Sequence, residues 1–226
     1  MDWFEELGFN ENPFDSDPAF SARYSAGLEK EMDELVYYVN SGSLVFVEGA
    51  SGSGKSVLLK MLAGKLGGRA VFVDGAGNVD IRSIIRKKTS FISALLGRPP
   101  KNIVLLVDAA AGLSHDSMEM IKYNFDNNHF AAVILAGASI KSAGLSQSIL
   151  DRIGSRVIHM PELTEEAALL MVGRRLGSSA ILEDDAIRKI YKKSGKNAKR
   201  FLALCEEAGK AAASSKPVAK EEDLKA

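Results

Sequence analysis

A three-layer α/β fold, with a parallel sheet covered by helices on both faces and a small all-helical domain after it, is the architecture this sequence predicts. Three observations carry it. Short, nearly pure apolar runs recur between residues 44 and 160, separated by stretches long enough for crossover helices. A glycine-rich segment follows the first run directly and opens a helical pattern. Beyond Pro161 the apolar runs stop and only helical spacing remains.

In chain order, polar and irregular sequence is broken at Asn12-Pro13-Phe14 and Asp17-Pro18. Residues 28–40 then space Met32, Leu35, Val36 and Val39 for a helix that Gly42 ends. Strands are expected at Leu44–Glu48, Ala70–Asp74, Ile103–Asp108, 131–136 and 156–160, and a helix at 57–66. Thr164 caps a helix over Glu165–Leu176, with Gly177 beyond its end. Asp184 or Asp185 opens a helix at 186–194 before Gly195, and a third runs over residues 197–213. The expected division is therefore a base domain at 1–161 and a helical lid at 162–226, jointed at Pro161 to Leu163. Residues 214–226 read as a frayed tail or a short docking helix.

The 226 residues carry 29 Lys and Arg against 29 Asp and Glu and are 46% hydrophobic, which excludes a disordered or fibrous chain. With no net charge, any nucleic-acid contact has to come from a local patch. The longest apolar runs, residues 103–107 and 131–138, fall far short of the ~20 residues a membrane span needs, so none is expected. The N-terminus has no basic, apolar signal segment, and a cytoplasmic protein is expected. Cys205, the sole cysteine, sits in an apolar helical stretch and is expected as a buried thiol. His115, His129 and His159 have no metal-ligand spacing.

Gly49-Ala50-Ser51-Gly52-Ser53-Gly54-Lys55-Ser56 satisfies G-x-x-x-x-G-K-[ST] between an expected strand and the expected helix that starts at Val57. Glycines at these positions let successive backbone N–H groups turn inward on phosphate oxygens, and the helix N-terminus adds partial positive charge. Lys55 then reaches the β and γ phosphates, and Ser56 offers a hydroxyl to Mg²⁺, a hard cation that prefers oxygen ligands. The pattern matches the phosphate loop of the P-loop NTPases, and ATP and Mg²⁺ are the expected ligands. The strand Ile103–Asp108 ends in a carboxylate, as a second metal-holding group requires. Ala109, however, follows it where a hydrolytic ATPase usually has the carboxylate that orients water. Losing such a group costs ~10²–10⁴ in rate. Hydrolysis is thus slow, or the base comes from elsewhere, with Glu48, Asp116 and Glu119 as candidates.

Asn12-Pro13-Phe14, the phosphate loop, Val107-Asp108, Leu150-Asp151-Arg152-Ile153-Gly154, Glu162-Leu163-Thr164-Glu165-Glu166 and Gly195-Lys196-Asn197-Ala198-Lys199-Arg200, in that order, make the chain resemble the AAA+ ATPases. It most resembles the branch of the general-secretion-pathway A ATPases, the transposition helper ATPases and the archaeal origin-recognition initiators, whose chains open with a similar "NPF" segment. The resemblance spans residues 9–224. It implies Pro13 and Phe14 beside the adenine, Lys55, Ser56 and Asp108 on phosphate and metal, and Ser139 near the sensor-1 position. Arg152 resembles the arginine finger that enters a neighbouring subunit's nucleotide, with Arg156 as the alternative, and Lys199 or Arg200 resembles the sensor-2 cation of the lid. Three departures stand out: Ala109 replaces the usual glutamate, Ala198 replaces the proline of G-N-P-R, and the winged-helix DNA-binding domain that follows the lid in the origin-recognition initiators is not expected here.

Arg82, Arg86, Lys87 and Lys88, with Phe91 nearby, form one basic cluster, and Lys192, Lys193 and Lys196 form another. Each fits either a solvated helix face or contacts to nucleic-acid phosphates. Trp3 and Phe4 either anchor the N-terminal segment or bind a partner. The expected function is an ATP-dependent assembly or conformational switch, forming a homo- or hetero-oligomer through Arg152, in a process the resemblance associates with DNA. The alternatives are a non-hydrolysing adaptor subunit of a mixed AAA+ assembly and a small-molecule kinase. The protein client is not legible.

Overall fold

The computed structural model describes residues 2–76, 83–84, 102–177, 179 and 181–215. Its elements are α1 (Pro18–Ala22), α2 (Glu29–Asn40), β1 (Leu44–Glu48), α3 (Lys55–Leu66), β2 (Ala70–Asp74), β3 (Ile103–Asp108), α4 (His115–Asp126), β4 (Phe130–Gly137), α5 (Gln147–Ile153), β5 (Val157–His159), α6 (Glu165–Leu176), α7 (Asp184–Ser194) and α8 (Ala198–Ser215). The chain divides into two compact units, Leu28–Pro161 and Met1–Gly27 with Glu162–Ala226. Residues 1–27 therefore belong with the helices and not, as the 1–161 reading had it, with the sheet.

The sheet unit orders its strands β2-β3-β4-β1-β5, all parallel. Every strand is apolar on both faces because helices cover both. Leu44, Phe46, Leu105, Val107, Val133 and Leu135 face α4 and α5 through Met118, Ile121, Ile149 and Ile153. The alternate residues Val45, Val47, Val104, Leu106, Ile134 and Ala136 face α2 and α3 through Met32, Leu35, Leu58, Leu59 and Leu62. Leu35, Leu58, Leu59 and Leu62 have no exposed surface, and burying each is worth ~1.5–3 kcal/mol. The pairing of β3 with β4 skips Ala131, so β4 bends at its start.

In the helical unit, Thr164 Oγ accepts from Ala167 N–H at 3.1 Å to cap α6, and Gly177 and Gly195 end α6 and α7 at φ 59° and 63°. Its core holds Phe14, Leu163, Ala168, Val172, Ile187, Phe201, Leu202 and Cys205, with Trp3 and Phe9 packed against it. Arg175, 6% exposed, ties the N-terminal segment into place. It donates to Pro13 O (2.8 Å), Asp15 O (3.0 Å) and Ser21 Oγ (2.8 Å), and its guanidinium lies 5.3 Å from the Phe20 ring. Burial pushes its pKa down to about 10, although Asp15 opposes the shift. The Cys205 thiol is fully buried and burial pushes its pKa up to about 12, which makes it an inert core residue.

Trp3 stacks on Phe14 with an interplanar angle of 3° and lies over Gly209, where an added Cβ would come within 2.6 Å of the indole. Of the two roles open to Trp3, the structure shows the anchor. Gly209→Ala gains about 1 kcal/mol of helix propensity but collides with Trp3, and overpacking of this kind costs about 1–3 kcal/mol. We expect Gly209→Ala to lower stability in urea unfolding, and the same change to cost markedly less in a Trp3→Ala background, where only the 3.3 Å approach to the Phe14 ring remains. Independent, additive effects would contradict the packing.

Candidate functional site

The chain leaves β1 toward β2 through α3 on one face of the sheet, and returns through α4 and α5 on the other. In an open parallel sheet, opposite crossovers part at the C-terminal strand ends and leave a crevice there. The phosphate loop occupies this position, between β1 and α3. Gly52 and Gly54 adopt φ 78° and 98°, conformations that strongly favour glycine. A Cβ on Gly49 would lie 2.7 Å from Ser53 Oγ and 2.8 Å from Met160 Cβ, so that position admits no side chain. The N-terminus of α3 receives no side-chain cap, which leaves its first N–H groups directed at the loop.

Lys55 Nζ donates to Gly49 O (2.6 Å) and Ala50 O (2.9 Å) across the loop. Burial holds its pKa below the usual lysine value, and the nearby Asp108 carboxylate opposes that shift. Ser53 Oγ is buried and has no hydrogen-bond partner among the described residues, although buried hydroxyls are normally satisfied. The glycine-lined cradle, the uncapped helix end, the ammonium and the orphaned hydroxyl together suit a phosphate, and the oxygen donors of Ser56 and Asp108 suit Mg²⁺.

Asp108 ends β3 and its Oδ1 accepts from Ala109 N–H at 3.0 Å. Ala109 sits at φ 49° in the left-handed region. The turns after β2 and β3 interlock there. Gly75 N–H donates to Asp108 O at 2.7 Å, a Cβ on Gly75 would lie 2.7 Å from Ala109 O, and one on Gly112 would lie 2.3 Å from Gly75 O. This clasp fixes Asp74, the register partner of Asp108, beside it at the same sheet edge. Sequence reasoning passed over Asp74, although Ala70–Asp74 repeats the apolar-strand-then-aspartate pattern of Ile103–Asp108.

Most of the other candidate residues have partners of their own. Glu48 Oε2 accepts from Ile140 N–H (2.9 Å), and Oε1 lies 4.0 Å from His159 Nδ1. Glu119 accepts from Ser146 Oγ at 2.8 Å, which lowers its pKa, with Lys122 adding to the effect. Asp116 lies in the first turn of α4. Ser139 Oγ caps a single helical turn by accepting from Lys141 N–H at 3.2 Å. Arg152 forms a two-bond pair with Asp126 (Nε–Oδ1 2.5 Å, Nη2–Oδ2 2.7 Å) and also donates to Ser148 O (3.0 Å), and Arg156 donates to Leu44 O and Arg152 O. Phe14, 1% exposed, is a core side chain of the helical unit, and the Pro13 carbonyl is held by Arg175. Lys199 and Arg200 are exposed in the first turn of α8. The cluster Arg82, Arg86, Lys87 and Lys88, with Phe91, and the tail from residue 216 lie outside the described residues.

A cleft of about 630 Å³ opens at the opposite, N-terminal sheet edge, lined by Asn102, Phe125, Asp126, Asn128 and Phe130 among others. Among the described residues that line it, Asp126 is the one ionisable group, and it is occupied by Arg152. Among the described residues no cluster of His, Cys, Asp and Glu could hold a metal ion by itself, and no helix is long and apolar enough to cross a membrane.

Compared with solved structures, the chain is similar to the Thermotoga maritima RuvB Holliday junction branch migration motor (19% identity, TM-score 0.56, 78% of this chain and 60% of that one). It is also similar to Drosophila ORC bound to DNA (15%, 0.58, 94% and 60%) and to Cdc6p from Pyrobaculum aerophilum (15%, 0.57, 94% and 63%). The fold is that of the AAA+ ATPases. The chain spans less than two thirds of the length of each of these structures. Neither a family model nor a curated protein sequence matches it.

The clasp is the feature of this AAA+ fold that a single methyl group tests most sharply. We expect Gly75→Ala to cost about 1–3 kcal/mol in urea unfolding, since the colliding atoms are backbone and cannot swing away. Wild-type stability would contradict the interlock.

Proposed function

We propose that the protein binds ATP with Mg²⁺ in the loop Gly49 to Ser56 and acts as an ATP-dependent assembly or conformational switch in a DNA transaction, with hydrolysis weak or dependent on a partner. The observation that carries the reading is the loop itself: an uncapped helix end behind left-handed glycines, with Lys55 reaching back across the loop and a buried, unpaired Ser53 hydroxyl within it. The loop N–H groups bind phosphate oxygens, and Lys55 exchanges its two loop carbonyls for the β and γ phosphates. Bound Mg²⁺ neutralises charge between phosphates, and Ser56 Oγ and Asp108 are the residues to hold it. In this proposal Ser139 contacts the γ-phosphate, Pro13 and Phe14 lie near the adenine, and Lys199 or Arg200 couples the helical unit to the nucleotide. The branch migration motor and the DNA-bound complex among the similar structures support a DNA process, and the cytoplasm is its proposed location.

Ala109 supports a second reading, a nucleotide-binding adaptor without turnover. Where turnover occurs, Asp74 is the carboxylate that register sets directly beside Asp108; its Oδ1 accepts from Ala76 N–H at 2.9 Å, as Glu48 and Glu119 accept bonds of their own, so its position is what favours it to orient water. Arg152 acts in trans only once it leaves Asp126, so assembly has to compete with that pair.

ATP turnover measured over a protein concentration series, with Lys55→Ala as blank, tests the switch. Specific activity rising with concentration and lost in Arg152→Ala is expected of self-assembly. ATP binding without turnover at any concentration supports the adaptor. If turnover is present, Asp74→Asn should lower it at least tenfold while ATP affinity stays unchanged; equal turnover would exclude that role for Asp74.

A further inference from the structure

Helices α7 and α8 are joined by only Gly195, Lys196 and Asn197, with Gly195 and Lys196 both left-handed at φ 63° and 61°, a tight helix-turn-helix. On α7, Ile187, Ile190, Tyr191 and Ser194 turn inward. Ile187 and Ser194 are buried, and Ile190 and Tyr191 pack against the core of the unit. Lys189, Lys192, Lys193 and Lys196 are all exposed. At 3.6 residues per turn Lys189, Lys192 and Lys193 of α7 fall within an arc of about 100°, opposite the packed residues, and Lys196 follows in the turn. From Ala186 to Cys205 the chain has seven Lys and Arg and no Asp or Glu, whereas the whole chain is neutral.

Local pairing does not account for this face. Lys196 pairs with Glu162 at 2.7 Å and Arg188 with Glu165, but among the described residues Lys189, Lys192 and Lys193 have no ion-pair partner. Lys192 and Lys193 complement the C-terminal end of the α7 dipole, but Lys189 lies a turn earlier. Like charges at i,i+3 (Lys189 and Lys192) and i,i+4 (Lys189 and Lys193) repel. Exposed Asp185, one turn before Lys189 on the same arc, offsets part of this repulsion at its N-terminal end, but Lys192 and Lys193 lie beyond it, and an external polyanion would relieve what remains.

We propose that the lysine face of α7 binds the phosphate backbone of a nucleic acid. From Lys189 to Lys193 the face runs about 6 Å along α7, a length over which a duplex presents about three to four phosphates. Lysines are point charges, and the arc carries no arginine, amide or aromatic side chain to read a base edge, so the contact is independent of sequence. A lipid surface is disfavoured because the apolar residues of α7 are committed to the core and none flanks the lysines. The inference deepens the DNA reading above by assigning a surface to it, and it does not depend on nucleotide binding.

The test is fluorescence anisotropy of the full chain with a labelled 30-base-pair duplex and a labelled single strand over a salt series. It compares wild type, the triple variant Lys189→Gln/Lys192→Gln/Lys193→Gln and the matching triple Lys→Arg variant, with sedimentation on phosphatidylserine vesicles, ATP binding and thermal unfolding followed in parallel. The expected result is salt-sensitive binding to unrelated sequences alike. The glutamine variant should bind at least tenfold more weakly, with a log–log salt slope shallower by about 2–3, while the arginine variant binds like wild type. ATP affinity and unfolding temperature should not change in either variant. Wild-type affinity in the glutamine variant, absence of binding to both nucleic acids at low salt, or binding only to phosphatidylserine vesicles would each overturn the proposal. Loss of ATP binding in Lys55→Ala bears only on the loop, so the two readings fail separately.

Discussion

The turn from β1 into α3 is the constraint on which the rest of the sheet unit depends. A helix that starts without a side-chain cap leaves donors that need an acceptor, and a loop that wraps around those donors can be made only where glycine tolerates left-handed torsion angles. Gly49 has no room for a side chain, and Lys55 reaches back across the loop to its carbonyls. The parallel sheet delivers β3 to the same edge, so the Asp108 carboxylate lies near enough to Lys55 to oppose the effect of burial on its pKa. Order in the sheet and chemistry at its edge are therefore the same fact seen at two scales.

A second, less visible constraint holds the edge of β2 against that of β3. Gly75 and Gly112 let two backbone turns approach far closer than any side chain would permit, and Ala109 is held left-handed between them. Ala109, directly after Asp108, is thus both small and conformationally unusual, and Asp74 of the neighbouring strand is the register partner of Asp108. In the helical unit Arg175 has the corresponding part. A nearly buried guanidinium that bonds two carbonyls and a hydroxyl of the N-terminal segment makes residues 1–27 part of the helical core.

The strands were legible because a sheet covered on both faces needs continuous apolar runs, and Leu44–Glu48, Ala70–Asp74 and Ile103–Asp108 show them without interruption. The phosphate loop was legible because glycine, lysine and serine at fixed spacing report a backbone shape directly. What sequence did not disclose depends on contacts between distant segments. The membership of residues 1–27 turned on Arg175 and on the fit of Trp3 over Gly209, neither of which has a local signature. The register that sets Asp74 beside Asp108 exists only once β2 and β3 pair. Arg152 was found by its surroundings in the sequence, but its partner Asp126 lies on another helix, and the pairing follows from how α4 and α5 cover the same sheet face.

The account stands most directly on whether the loop holds nucleotide. Calorimetric titration of ATP in the presence of Mg²⁺ into the wild-type protein and into Lys55→Ala decides this. The account predicts one site per chain in the wild type and at least a tenfold loss of affinity in the variant at unchanged unfolding temperature. Equal affinity in the two proteins, or no binding in the wild type, would contradict it.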